Sequence, residues 1–433
     1  SNFVMAGVAV VGSGNYELFI DTGFVQDAFL LDADPQGVLN NTQYVLDGTT
    51  NFAGVLEGCV GVNVRRGRRD QGDQFGTGTM TFTLSDTSGI FNPFDELSPY
   101  FDAATAQPGL APMRKVELVR YDDLNNAEYL FKGYIVNYDY NFALGGIDTV
   151  TVFCADDFYL LSQTVLDEFN VSEELTSARL TAVLDLPEVN FPIAQRAITT
   201  GTQTLGGAAA FTISQGTNVL SYCTNINEAE QGRLFMSRDG LLTFQPRVGN
   251  TLSGSVADFH DDGTEIKFNS LGISFEADQV VNRAVVQILG SNNPQTADDA
   301  ASQAKYFIQT QSITNSLLHS DGAAATLASY LLEGEPEPRY TSVGTALNML
   351  NTAQRDTVAI IDIGDTITVE KTFTSGAGTT ELAQELSIEG VEHTLNIGDG
   401  HKILLFTSPT TIVYELILND AIFGVIDADN VLG

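Results

Sequence analysis

GTGTMTFTLSD, residues 76–86, is written with a period of two. Thr77, Thr79, Thr81 and Thr83 fall on one side of it, and Met80, Phe82 and Leu84 on the other. Successive side chains of an extended chain point to opposite faces, so this spacing predicts a half-buried β-strand with a hydroxyl-bearing face. Threonine suits such a strand because its branched Cβ fits the pleated backbone. DTSG at 86–89 ends the strand with turn chemistry, and NPF at 92–94 keeps the chain beyond it out of helix.

The same alternation extends outward. KVELVRYDD at 115–123 and AEYLFKGYIVNYDYNF at 127–142 read as strands joined by the turn DDLNN. Gly133 is expected to relieve the longer one with a bulge or bend. Tyr138, Tyr140 and Phe142 form a stripe at strand spacing that suits packing better than base stacking. DTVTVFCA at 148–155 supplies a further strand. Consecutive hairpins with few helices predict an antiparallel sheet closed into a barrel.

Near residue 157 the texture changes. SARLTAVLDL at 177–186 has helical spacing, and Val219, Tyr222, Cys223 and Ile226 make an i, i+3, i+4, i+7 stripe. GRLFMSRDGLLTFQPR, 232–247, then reads as a hairpin about Asp239–Gly240. From 270 onward strands are expected again: GISFEAD, NRAVVQIL, DTVAIID, DTITVEK and ELSIEGVEHTLNI. One helix interrupts them at DGAAATLASYLLEG, 321–334, with Asp321 as its cap, a stripe of Ala324, Leu327, Ala328 and Leu331, and Gly334 and Pro336 as its stop.

The fold class is therefore mainly β (α+β), with a first antiparallel β-barrel, a small inserted α/β domain and a second mostly-β domain. The expected division is an N-terminal arm (1–28), the first β-barrel (29–165), the insertion (166–268), the second mostly-β domain with one packed helix (269–410) and a C-terminal docking segment (411–433). FLLDADPQGVLNNTQYVLDG at 29–48 and ELILNDAIFGVIDADNVLG at 415–433 echo each other, which points to similar docking units at the two ends. A length of 433 residues agrees with about three domains.

Charge narrows the function. The chain holds 20 Lys and Arg against 55 Asp and Glu, a formal charge of −35. That opposes gripping nucleic acid, which needs clustered positive charge, and fits a wall that DNA slides past; solubility or a saline habitat is the plainer explanation of the acidity. FVMAGVAVVG at 3–12 has no basic residue before it and is too short to cross a bilayer, so neither a signal peptide nor a membrane span is expected. Cys59, Cys154 and Cys223 are isolated and read as reduced core thiols.

No chemistry converges in the pattern. DFHDDGTE at 258–265 fits a calcium loop at Asp258, Asp262 and Gly263, but His260 holds the third position and Asn269 the twelfth; a solvated turn is the plainer reading. The four histidines lack zinc spacing, and the acid pairs 122–123, 156–157 and 298–299 suit turns and caps. GSGN at 12–15 is a turn rather than a nucleotide loop. No catalytic residue, cofactor or metal is expected.

VNVRRGRRDQ, 62–71, stands out: Arg65, Arg66, Arg68 and Arg69 are a fifth of the positive charge. Phosphate binding, a solvated strand end and a subunit anchor all remain open for it. The anchor reading rests on the planar guanidinium, which pairs carboxylates bidentately and sheds water more readily than an ammonium.

VNVRRGRRDQ, GTGTMTFTLSDTSGIFNPF, KVELVRY and LFKGYI, in that order, resemble the minor tail proteins of long-tailed, non-contractile (siphovirus-type) phages. GRLFMSRDGLLTFQPR, FEADQVVNRAVV and FGVIDADNVLG continue the resemblance to the C-terminus; the absence of tryptophan and the segment 187–215 depart from it. The resemblance implies a tail-tip protein similar to baseplate hubs, with tail-tube-like barrels, two per chain, which makes the mostly-β domain of 269–410 a second β-barrel. It further implies a homotrimeric ring that continues the tail tube and guides DNA exit. Its neighbours would be the distal tail protein, the tape-measure protein and receptor-binding fibre proteins. Assembly would occur in the host cytoplasm, the mature location being the virion tail tip, and DNA would pass through the lumen without specific binding. A distal tail protein with six copies is the alternative of the same class, and a carbohydrate-binding or depolymerising tail protein that of another. The four arginines are the expected subunit-interface residues.

Overall fold

The computed structural model describes residues 7–23, 52–70, 73–103, 105–247, 254–376 and 378–410, with two short pieces at 414–415 and 430–431. The first segment of the terminal echo, and most of the second and of the C-terminal docking segment, lie outside the described residues; of the expected N-terminal arm, residues 7–23 are described, and Gly14–Asp21 among them forms a strand of the large sheet rather than an arm. The fold is mainly β, dominated by one large, mostly antiparallel, curled sheet of fourteen strands.

The first half of that sheet contains β1 (Gly14–Asp21), β2 (Cys59–Gly67), β3 (Thr79–Asp86), β4 (Lys115–Tyr121), β5 (Ala127–Asn141) and β6 (Asp148–Ala155). They lie side by side in the order β1-β4-β5-β6-β3-β2. The period of two in β3 is realised: Met80, Phe82 and Leu84 are fully buried while the threonines face outward. Removing each such side chain from water stabilises the fold by roughly 1.5–3 kcal/mol. Asp86 closes β3 by accepting bonds from the Ile90 and Phe91 amides. The β4–β5 hairpin forms across the expected turn, with Asp122 accepting from the Leu124 and Asn126 amides. The bulges in β5 lie at Leu130 and Val136, where the registers with β4 and β6 slip by one residue, and not at Gly133. Gly133 has a different job: a Cβ there would stand 2.3 Å from the Ala155 carbonyl oxygen of β6.

A separate core lies between the sheet's two halves in the chain. It holds the helices α1 (Thr176–Leu184) and α2 (Val219–Glu230), the hairpin Arg233–Met236/Leu242–Gln245, and α3 (Asp321–Tyr330). The α2 stripe of Val219, Tyr222, Cys223 and Ile226 is buried in it. Ser320, not Asp321, caps α3; its hydroxyl accepts from the Ala323 amide. α3 packs on the strands Arg283–Ile288 and Gln295–Asp298, and Ala284, Val286, Leu327 and Ala328 share this middle core. Residues 283–330 were expected in the second β domain. Ala324, Leu327 and Ala328 instead cover the apolar face of Arg283–Ile288, which forms a three-stranded sheet of its own with Gln295–Asp298 and Thr310–Ser316.

The second half comprises β7 (Ala257–His260), β8 (Ser270–Ser274), β9 (Arg339–Ala346), β10 (Thr366–Ser375), β11 (Gly378–Asn396) and β12 (Gly400–Pro409), around a third core. β11 pairs with β12 and β10, β12 with β9, and β9 with β8. β7 joins β10 in parallel, so the large sheet claims residues 257–260 from the expected insertion. DTVAIID, expected as a strand, is mostly helix: α4 spans Thr352–Ala359. A capping box decides it, Asn351 accepting from the Gln354 amide while Gln354 accepts from the Asn351 amide. Such reciprocal bonds satisfy two otherwise orphaned donors and override the β-branched run. No helix of the described residues is long and apolar enough to cross a membrane.

Candidate functional site

The two halves of the sheet meet where β2 pairs with β11, from Val62–Leu395 to Gly67–Gly390. The arginine cluster sits at one end of this seam. Alternation along β2 sends Arg66 inward and leaves Arg65 exposed. Gly67 then turns the chain at φ +85°, and a Cβ on it would lie 2.3 Å from the Glu389 carbonyl oxygen. Only glycine combines that backbone region with that closeness, which accounts for the interrupted Arg-Arg-Gly-Arg-Arg pattern.

Arg66 is 2% exposed, and its Nη1 lies 2.5 Å from Asp362 Oδ1. Asp362 Oδ2 accepts from the Arg238 amide, and Arg238 reaches the Tyr129 carbonyl at 2.9 Å. Arg68 donates to Glu389 Oε2 at 2.7 Å and lays its guanidinium 4.3 Å from the Phe75 ring centroid. Glu389, 1% exposed, also accepts from the Ser408 hydroxyl at 2.7 Å and pairs with Arg233 at 3.3 Å. Burial alone would raise the pKa of Glu389; the charges of Arg68 and Arg233, helped by the Ser408 hydroxyl, outweigh it and hold the carboxyl below its ordinary value. Arg65 and Arg69 stay exposed, 5.7 and 5.6 Å from the centroid of the Phe406 ring.

Thus Arg66 and Arg68, expected to meet carboxylates of neighbouring subunits, meet carboxylates of this same chain, supplied by the second half of the sheet and the loop before it. The cluster is a clasp between halves, with Arg65 and Arg69 on its outside.

A second polar chain crosses the seam. Tyr16 Oη lies 2.8 Å from His401 Nδ1, and His401 Nε2 lies 2.9 Å from His393 Nδ1. All three residues are buried. Burial, with Arg120 nearby, drives the His401 pKa down to about 3; burial, then His401, then Arg66 and Arg238 depress His393 as well. Both imidazoles are therefore neutral at pH 7. Asp156 caps the short helix Asp157–Gln163 by accepting from the Phe158 amide, and it also accepts from the Gly78 amide. Burial pushes its carboxyl up to about 8 against those two bonds.

Sequence reasoning missed the clasp's partners and this histidine pair. A signal existed for both. In ELSIEGVEHTLNI the buried phase shifts from Leu386 and Ile388 to Val391, His393 and Leu395, and the shift marks the bulge that turns Glu389 inward. His393 and His401 lie in the apolar phase of strands flanking one tight turn.

The other candidates are engaged by neighbours within the chain. Asp261 and Asp262 of the acidic turn engage Lys371 and Thr264, and no group of three or more metal-ligating side chains occurs among the described residues. Tyr138, Tyr140 and Phe142 stack at 6.0 and 6.1 Å. Asp299 caps the helix Ala300–Tyr306.

The fold is similar to that of a solved tail protein. The tail protein from Neisseria meningitidis superposes with a TM-score of 0.54 over 82% of this chain and 93% of its own, at 14% identity. A 43 kDa prophage tail protein from Shewanella oneidensis aligns over 83% of this chain and 94% of its own, at 12% identity and TM-score 0.49. A prophage tail protein from Listeria monocytogenes does so over 91% and 95%, at 9% identity and 0.46. No family model matches the sequence, and no curated protein matches it.

Proposed function

We propose that this chain is a structural, non-catalytic component of a phage tail tip, a minor tail protein of the baseplate-hub kind from a siphovirus-type phage. The observation that carries the reading is the seam. One chain contributes two curled sheet halves, each around its own core, locked edge to edge by a strand pair and a buried ionic clasp. A unit built this way suits a ring, because each copy delivers two tube-like barrels at a fixed angle. Three copies then supply six, and the ring continues the tail tube and lets DNA leave through its lumen. The likeness to the Neisseria tail protein supports the fold on which this rests.

Within this reading the arginine cluster divides its labour. Arg66 and Arg68 hold the two halves of one copy in register, while Arg65 and Arg69, exposed over Phe406, meet acidic side chains of the adjacent copy. In a chain of charge −35 a small cationic patch offsets repulsion between neighbours. The distal tail protein, the tape-measure protein and the receptor-binding fibres are the proposed neighbours in the virion. Gold-labelled antibody against the chain should decorate a single end of purified tails. Decoration along the shaft, or none on particles, would overturn the assignment.

A further inference from the structure

The strand β8 closes the second half of the sheet, and its outer edge carries no paired strand among the described residues. An edge left this way presents unpaired amides and carbonyls that an extended peptide can complete. Here it is also apolar: Ile273 is 49% and Phe275 65% exposed. Where β8 ends, a groove of about 220 Å³ opens, floored by Phe275, Ala277, Val280, Tyr306 and Pro336.

Beside Tyr306 the chain makes a strained turn. Phe307 sits at φ +61°, ψ 179°, a region that is essentially glycine's own. The fully buried Asn282 enforces it, donating to the Phe307 carbonyl at 2.7 Å and accepting from the Gln309 amide at 2.7 Å. The strained turn leaves Phe307 83% exposed between two groove residues. Around the apolar floor stand Glu276, Asp278 and Glu337, all exposed and with no cationic partner among the described residues. The lysine beside them, Lys305, is already paired with Glu335 at 2.7 Å.

We propose that this edge and groove dock an extended segment of a partner protein in which apolar anchors alternate with lysine or arginine. The open edge supplies main-chain pairing, the groove takes an aromatic or aliphatic side chain, and the acidic rim selects the flanking cations. A second copy of this chain fits poorly, because it would bring further acid to an acidic rim. The inference stands apart from the tail-tip reading, since it concerns one protomer and its peptide.

The test uses the full chain and two fluorescent peptides of equal length, one alternating valine and phenylalanine with lysine, the other with glutamate. Anisotropy titration should show saturable binding of the lysine peptide alone, weakening as salt rises. Phe275→Ser combined with Tyr306→Ser should reduce its affinity by about tenfold or more. Glu276→Lys with Glu337→Lys should transfer the preference to the glutamate peptide; both pairs of sites are on the surface, so folding is preserved. Equal binding of the two peptides would overturn the proposal, as would undiminished binding by the Phe275→Ser/Tyr306→Ser variant. So would self-association abolished by Phe275→Ser, which would make a second copy the occupant.

Discussion

Glu389 and its two guanidiniums show how a buried ionic group acts at a joint. Removing such charges from water costs several kcal/mol each, so the pair returns little net stability over a well-packed apolar alternative. Its effect is positional: once Arg68 and Arg233 are committed to the interior, only a register that brings Glu389 to them is tolerable. Glu389→Ala strands two cations and should cost about 3–5 kcal/mol in urea denaturation, whereas a substitution at the exposed Arg69 should cost about 1 kcal/mol or less. The histidine pair makes a pH prediction. The folded pKa of His401, about 3, lies below the ordinary imidazole value of 6.5. The unfolded chain therefore binds the proton first as pH falls, and stability declines from about pH 6.5 towards pH 3. His401→Gln should flatten that limb of a thermal-melting profile; an unchanged slope would show that another group carries it.

At the scale of the element, β3 was legible because its faces alternate without exception, and the hairpin at Asp239–Gly240 because turn chemistry is local. α4 was not: DTVAIID carries β-branched residues, and the decision lay upstream, in Asn351 and Gln354. Asn351→Ala should cost about 1 kcal/mol through the lost cap. The clasp was half legible. Four arginines around one glycine are visible in any reading, but Asp362 and Glu389 lie some 300 residues further along, and pairing at that distance leaves no local pattern. Gly67 is the sharpest test of the seam's geometry. Gly67→Ala adds both a disfavoured backbone conformation and a clash with the Glu389 carbonyl, so it should destabilise by more than the roughly 1 kcal/mol that left-handed backbone alone costs. A melting temperature equal to wild type would mean that β2 and β11 do not approach as described.

The described residues form two curled half-sheets joined at a clasp, with a middle core packed from separate stretches of chain on either side of β7 and β8. The sequence reading placed most of the first stretch of this middle core, near 158–244, in the inserted α/β domain and the second, near 284–328, in the second β domain, because strands of the large sheet separate the two stretches in the chain. A net charge of −35 makes like copies repel at range. Association of purified copies should therefore strengthen as salt rises from low to physiological levels, the opposite of nucleic-acid binding, and sedimentation velocity would read it. The account's central claim, that each chain is a double unit of a ring, is tested most directly by reconstructing the intact tail tip by electron cryomicroscopy and counting subunits. The account predicts three copies presenting six curled halves around the axis, with Arg65 and Arg69 against the next copy. Six copies, or a ring to which only one half of each chain contributes, would contradict it.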